Sequence, residues 1–370
     1  MTCIGLLRTM NSAAFNDPTT ARSLVEAISR LAKRLPEVRL MEVCGTHTME
    51  IGRLGIRQLL PENVRLISGP GCPVCVTPAA YIDAVAELAL FEGVRIATFG
   101  DLFRVPGVRR SFAQVKAAGA AVEIVTSPRA ALELARKTHG EVIFTAVGFE
   151  TTIPATAAAM KTLTVEGLDN LSFFVAHRLV PPALDVLLAD PSLCISGFLL
   201  PGHVSAIVGA GAYGALVKRG VPGVITGFDA LDLLAGICCL LDLLVKKEVA
   251  VKNEYTRVVP PQGNPAALRL IEEVYEPCDA VWRGIGTFPE SGLRLRPHFA
   301  AYDASVRFGL KATGEEMPAG CSCGSVLKGM ILPEQCPLFG TACTPENPVG
   351  PCMVSSEGSC AAAFKYGDRQ

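Results

Sequence analysis

From Val38 to Phe288 the chain alternates short apolar runs with longer amphipathic stretches, and this alternation constrains the fold more than any other feature. The runs VRLMEV (38–43), VRLIS (64–68), VRIATF (94–99), AVEIV (121–125) and VIFTAV (142–147) come first. LSFFVA (171–176), CISGFLL (194–200), GVITGF (223–228), YTRVVP (255–260) and AVWRGI (280–285) follow. Helix-like stretches at 78–92, 128–138, 151–163, 203–218 and 265–276 separate them. Strands that are apolar almost throughout are buried on both faces, as in parallel sheets covered by crossover helices. The expectation is an α/β protein with two doubly wound parallel-sheet lobes, 38–165 and 166–290, facing a cleft. A phrase shared by the two series, AVGFE (146–150) against ITGFD (225–229), raises a duplication without establishing one.

The ends read differently. Segment 1–37 carries one helix, 18–34, with Asp17 placed to cap it and Pro18 at its first position. Residues 291–370 form a third unit, with which the N-terminal helix is expected to pack. Within it, 317–367 is rich in Cys, Gly and Pro and shows no period, so something other than a hydrophobic core must order it, and clustered thiols predict a metal centre. Half the residues are apolar and 19% are charged, which excludes a disordered chain. A net charge of −1 predicts no general affinity for nucleic acid or anionic membranes. The greasiest stretch, Leu233 to Val245, is interrupted by Asp242 and is shorter than the ~20 residues of a spanning helix. No secretory signal is visible at the N-terminus, and fourteen cysteines without one predict a reducing cytoplasm, where thiols serve metals or redox chemistry.

Ligands of open parallel sheets bind beyond the carboxyl ends of the strands, and the unusual residues fall there. The run 38–43 leads into Cys44-Gly45-Thr46-His47, and 64–68 into Gly69-Pro70-Gly71-Cys72-Pro73-Val74-Cys75. Run 142–147 leads into Gly148-Phe149-Glu150, 171–176 into His177-Arg178, and 194–200 into Pro201-Gly202-His203. The Cys72/Cys75 pair suits zinc completed by Cys44 and His47, a low-valent iron, or a redox dithiol. Simple packing of two small residues in a Gly/Pro loop is the bland alternative. Cys321, Cys323, Cys336, Cys343, Cys352 and Cys360, with no histidine among them, suit either a four-cysteine zinc site or an iron–sulfur cluster. Glu150 could equally cap the helix that follows it, and His203 could be a satisfied structural histidine. Cys3, Cys194, Cys238, Cys239 and Cys278 lie in or beside apolar runs and read as packing residues. No GxxxxGK[ST] occurs. The GxGxxG at 209–214 falls inside a helix-like stretch, and the GxSxG at 320–324 lies in the cysteine-rich tail, so nucleotide and nucleophile-elbow readings have no context.

The motifs CGTHTMEIGRLGIRQLLPENVRLISGPGCPVCVTP (44–78), GFETT (148–152), HR (177–178), PGHVSAIVG (201–209) and TGFDALD (226–232) strongly resemble the HypD family of hydrogenase maturation proteins. CSCGSVLKG (321–329) and CPLFGTACTPENPVGPCMVSSEG (336–358) extend the resemblance to the last cysteine, so it covers almost the whole chain in order. The resemblance implies a scaffold for the nickel–iron hydrogenase cofactor. With a HypC-type chaperone it would hold an iron that receives two cyanides and one carbon monoxide, the cyanides arriving from a HypE-type partner. The positions matching iron holding are Cys44, Cys72 and Cys75, with His47, Glu150, His177 and His203 as proton-handling or supporting groups. A [4Fe–4S] cluster is implied in the C-terminal unit. Two sulfurs as close as Cys321 and Cys323 compete for one approach, so the expected ligands are Cys323, Cys336, Cys343 and Cys360, with Cys321 and Cys352 in reserve. The readings that compete are a disulfide oxidoreductase using Cys72/Cys75 and a zinc-stabilised interaction protein.

Overall fold

A computed structural model describes residues 17–312 and 317–367; Cys3 lies outside them. The strands are β1 (Val38–Glu42), β2 (Val64–Ser68), β3 (Val94–Thr98), β4 (Ala121–Ile124), β5 (Glu141–Gly148) and β6 (Leu171–His177). They continue with β7 (Gly197–Pro201), β8 (Gly223–Thr226), β9 (Val251–Asn253), β10 (Tyr275–Trp282) and β11 (Gly286–Leu295). A parallel sheet of order β2-β1-β7-β8-β9 and a second of order β4-β3-β5-β6 carry the α/β architecture, and β10 and β11 form an antiparallel hairpin.

The sheets do not follow the two contiguous halves expected from the sequence. The first sheet takes its strands from both ends of that range, and the second is built from the middle. The cause lies in β1, whose Val38, Leu40 and Met41 are all buried. A strand covered on both faces belongs in a sheet interior, so β1 needs a neighbour on each edge. Beta-2 covers one edge, and β7 returns to cover the other, pairing Leu40 with Gly197. In between, the chain leaves through the CPVC loop and the helix Ala79–Leu88 to build the second sheet.

Counted along the chain, the first sheet has order 2-1-3-4-5 and the second 2-1-3-4. Each therefore has a switch point beside its first strand, between β1 and β7 in one and between β3 and β5 in the other. The GFE and GFD phrases do not sit at equivalent places. GFE follows the third strand of its sheet and GFD the fourth.

Two local expectations are corrected. Residues 255–260 are not a strand: the Tyr255 N–H donates to Asn253 Oδ1, and Asn253 Nδ2 donates to the Val259 carbonyl, closing a turn that Pro260 and Pro261 cannot extend into a ladder. The run 280–285 contributes to β10 and the hairpin turn rather than to a parallel strand.

The helix Pro18–Ala32 is capped by Asp17, which accepts from Thr19 and Thr20 N–H. It packs Leu24, Ala27 and Ile28 against Leu234, Ile237 and Leu241 of the helix Ala230–Lys246, not against the cysteine-rich unit. The reason is amphipathic fit: its apolar stripe meets a helix that is apolar nearly all round, each buried Leu or Ile contributing about 2 kcal/mol. Cys238 of that helix is fully buried and disulfide-bonded. No helix of the described residues is long and apolar enough to cross a membrane. The tail, residues 317–367, forms short helices Cys323–Leu327, Pro351–Val354 and Ser359–Tyr366. Its Cys323, Leu327, Cys352, Met353 and Cys360 enter the same core as Met41, Cys72, Cys75 and Trp282.

Candidate metal and thiol centre

At the switch point of the first sheet, β1 leads through Val43 into Cys44, the N-cap residue of the helix Gly45–Arg53. The Gly45 N–H donates to the Gly71 carbonyl at 2.9 Å, drawing the loop after β2 against the end of β1. Gly71 is required here, because a Cβ would fall onto the backbone of Cys44. This contact sets Cys72 beside Cys44. Cys44, Thr46, Gly71, Pro73, Phe149, Thr151, Thr152, Pro201, His203 and Glu357 line a cleft of about 410 Å³ between the carboxyl ends of the two sheets.

Burial pushes the Cys44 thiol up to about 11, and the charge of Glu357 adds to this. The N–H groups of His47 and Thr46 at the helix start oppose it. Thiolate at Cys44 near neutral pH would therefore need a cation beside it, such as a bound metal would supply. Thr46 Oγ1 donates to Glu357 Oε1 at 2.9 Å, so the tail reaches the cleft through one carboxylate. Burial raises the Glu357 carboxyl.

Cys72 and Cys75 are buried behind the cleft rather than in its lining. The Cys75 N–H donates to Cys72 Sγ at 3.2 Å, and Cys72 Sγ donates to Ser355 Oγ at 3.3 Å. Cys75 contacts Cys352, which in turn contacts Cys323 and Cys360. An unbroken run of thiols thus joins the CPVC loop to the tail. Burial above all holds Cys75 well above the ordinary thiol value.

Cys321, Cys323, Cys336, Cys343 and Cys360 line a second, small cavity with Leu338, Phe339, Gly350 and Met353. Cys352 stands outside it, on the side of Cys75. Cys321 Sγ lies 3.2 Å from Cys323 Sγ, and both sulfurs press on Gly350, where no Cβ would fit. Among the described residues no three His, Cys, Asp or Glu side chains are arranged to hold a metal ion as they stand. The donor chemistry nevertheless fits an iron–sulfur cluster: five thiols face one apolar space with no competing carboxylate or imidazole.

The remaining candidates divide. His203 lines the cleft, stacked on Phe228 with ring centroids 3.9 Å apart. His47 is fully buried, and its Nε2–H donates to the Gly227 carbonyl at 3.0 Å; a carbonyl only accepts, so Nδ1 carries the free lone pair. Burial lowers His47 to about 4, keeping it neutral. Glu150 turns away from the cleft. Its Oε1 accepts from the Val180 N–H at 2.9 Å, capping the helix Val180–Leu188 rather than its own, and Oε2 has no partner. Burial raises Glu150 to about 7. His177 lies beside Tyr275 with both ring nitrogens unpartnered, lowered by burial to about 3, and does not line the cleft.

Sequence reasoning missed Glu357, Ser355, Asp101 and Arg283. Asp101 Oδ2 accepts from Ser355 and Ser356 at 3.3 and 2.9 Å, tying the tail to the end of β3. The signal for Glu357 and Ser355 was the SSEG between Cys352 and Cys360. For Arg283 it was a lone charge between Trp282 and Gly284.

Fold and thiols together define a two-sheet α/β protein with sulfur ligands gathered at one switch point and in a cysteine-rich tail. The profile of the HypD family, described as "Hydrogenase formation hypA family", matches residues 19–367. The chain is 44% identical over 368 residues to the hydrogenase maturation factor HypD of Rhodobacter capsulatus, covering 96% of this chain and 98% of that protein. It is also 44% identical to the HypD of Azotobacter vinelandii (95% and 96% covered) and 41% identical to that of Escherichia coli (95% and 96%). The chain belongs to the HypD family of hydrogenase maturation factors.

Proposed function

We propose that this protein is the scaffold on which the iron of the nickel–iron hydrogenase site is fitted with two cyanides and one carbon monoxide. It acts with a HypC-type chaperone and with a HypE-type protein as transient cyanide donor, in the cytoplasm. The observation that carries this is the placement of Cys44 in the cleft wall with the Cys72/Cys75 pair buried behind it. Iron is the cargo. Cys44, Cys72 and Cys75 hold it with a thiolate of the chaperone, because soft thiolates retain the low-spin ferrous ion that cyanide and carbon monoxide favour.

Each remaining residue has a physical task. His203 and Glu357 border the cleft and can hold or accept a proton beside Cys44. Neutral His47 fixes the turn after β8 through the Gly227 carbonyl. Glu150 orders the start of the helix Val180–Leu188, with its carboxyl protonated over most of the acid range. Cys336, Cys343 and Cys360, with one sulfur of the Cys321/Cys323 pair and Cys323 as first choice, would hold a [4Fe–4S] cluster. When bound, that cluster supplies or takes up one electron at a time. The thiols from Cys72 through Cys352 give the dithiol a direct neighbour in the tail.

The thiol run also supports a second reading, a disulfide oxidoreductase in which two electrons passed one at a time from the tail's cluster, with two protons from solvent, reduce a Cys72–Cys75 disulfide to the dithiol. Infrared spectroscopy of the anaerobically purified chain with its chaperone separates the two. Bands of iron-bound cyanide and carbon monoxide are expected for the scaffold, and their absence with a reversibly titrating dithiol supports the oxidoreductase.

A further inference from the structure

Arg283 occupies the tip of the β10–β11 hairpin with 1% of its surface exposed. Its backbone N–H donates to the Val76 carbonyl at 2.8 Å, one residue past Cys75. On the other side Gly284, at φ +71°, packs so closely on Gly324 that a Cβ at Gly324 would fall onto the Gly284 carbonyl. The hairpin tip is therefore clamped between the CPVC loop and the segment that carries Cys321 and Cys323. One guanidinium nitrogen, Nη1, donates to the Pro106 carbonyl at 3.0 Å. Nε and Nη2 are buried and have no partner.

A guanidinium does not shed its proton in proteins, and an uncompensated buried cation costs several kcal/mol. The site must therefore hold a compensating negative charge in its working state. The acidic groups near enough to act on Arg283 are the thiols of Cys323, Cys321, Cys352 and Cys75. As neutral thiols they leave the cation unanswered. A cluster held by four thiolates answers it, since its oxidised form carries a net charge of about −2 and its reduced form about −3.

We infer that Arg283 is the positioning residue of the tail's sulfur centre: its unpartnered N–H groups donate to cluster or ligand sulfur, and its charge favours the electron-rich state. The inference rests on the iron–sulfur reading of the tail. Hydrogen bonds to sulfur and nearby positive charge both raise the reduction potential of such clusters. On one-electron reduction by dithionite no bond forms or breaks, and the added negative charge is met by a fixed cation.

The test uses the full chain, purified anaerobically, with iron and sulfide assays and a dithionite titration followed by visible absorption and electron paramagnetic resonance. In Arg283→Gln the reduction equilibrium should fall at least tenfold, equivalent to about 59 mV for a one-electron couple, while Arg283→Lys should stay within about threefold of the parent. Loss of the cluster from a folded Arg283→Gln protein, with retention in Arg283→Lys, also supports the inference. A cluster of unchanged potential in Arg283→Gln overturns it. So does loss of cluster or of fold in both variants, which assigns Arg283 a purely structural role. A parent protein without any cluster overturns the iron–sulfur reading itself, an outcome distinct from all of these.

Discussion

The two parallel sheets share the strand order 2-1-3-4 and the crevice that comes with it, yet only one is loaded with thiols there. At the β1/β7 switch point the sequence places Cys44 on a helix N-terminus, with Gly71–Cys72 drawn against it and His203 opposite. At the β3/β5 switch point the polar groups are committed to holding other pieces. Asp101 grips the serines before Glu357, and Glu150 caps a neighbouring helix. The difference teaches that a shared topology supplies only the location of a site. Chemistry depends on whether the side chains at the strand ends are left free or are used up as structural hydrogen-bond acceptors.

The largest effects should come from breaking the loaded side. Cys44→Ala is expected to abolish the cyanide and carbon monoxide bands and hydrogenase maturation while leaving the iron and sulfide of the tail in place. Cys336→Ser and Cys343→Ser should instead empty the tail. Of Cys321→Ser and Cys323→Ser only one should do so, because both sulfurs press on Gly350 and compete for one approach. Iron and sulfide assays on the four variants decide it, and Cys352→Ser should keep its cluster because Cys352 lies outside the cavity.

Next in size is the glycine that joins the two loops. Gly71→Ala drives a methyl into the Cys44 backbone and should cost about 3 kcal/mol, read as a lowered denaturation midpoint. The corresponding effect on the second sheet is pH-dependent. Burial raises the Glu150 carboxyl to about 7 in the fold, against about 4.3 in the unfolded chain. The folded state therefore binds more protons between those values, and the Glu150 contribution to stability is full below about pH 4 and is lost as pH rises toward 7. Glu150→Gln keeps an acceptor for the Val180 N–H and removes the titration. Its stability relative to the parent should rise by on the order of 3 kcal/mol from pH 4.5 to 7.5, measured by denaturant unfolding at each pH.

The smallest effect expected is at Asp101. Asp101→Ala frees two serine hydroxyls and should cost about 1 kcal/mol, while speeding alkylation of Cys72 by loosening Ser355 above it.

Much of this was legible in the sequence, for physical reasons that differ by region. The α/β class and most strand positions follow from apolar runs long enough to be buried on both faces, and the strand ends marked Cys44 and His203. Sheet membership was not legible. Nothing local in VRLMEV says that its second neighbour lies some 160 residues later, since parallel pairing depends on crossover lengths and on which edges remain uncovered. Glu150 read correctly as a residue at a strand end, but which helix it caps depends on tertiary placement. Glu357 and Arg283 were hidden because each is a single charge inside a stretch read for its cysteines or its apolar residues, and only the fold brings them to the thiols.

The central proposal is that the first sheet's switch point, with Cys44 in its wall, holds the iron while it acquires its diatomic ligands. The direct measurement is the infrared spectrum of the parent and of Cys44→Ala, each purified anaerobically with the chaperone. The account predicts cyanide and carbon monoxide bands in the parent and none in the variant, with equal iron–sulfur absorption in both. Unchanged bands in Cys44→Ala, or no bands in a parent that carries iron and its chaperone, would contradict it.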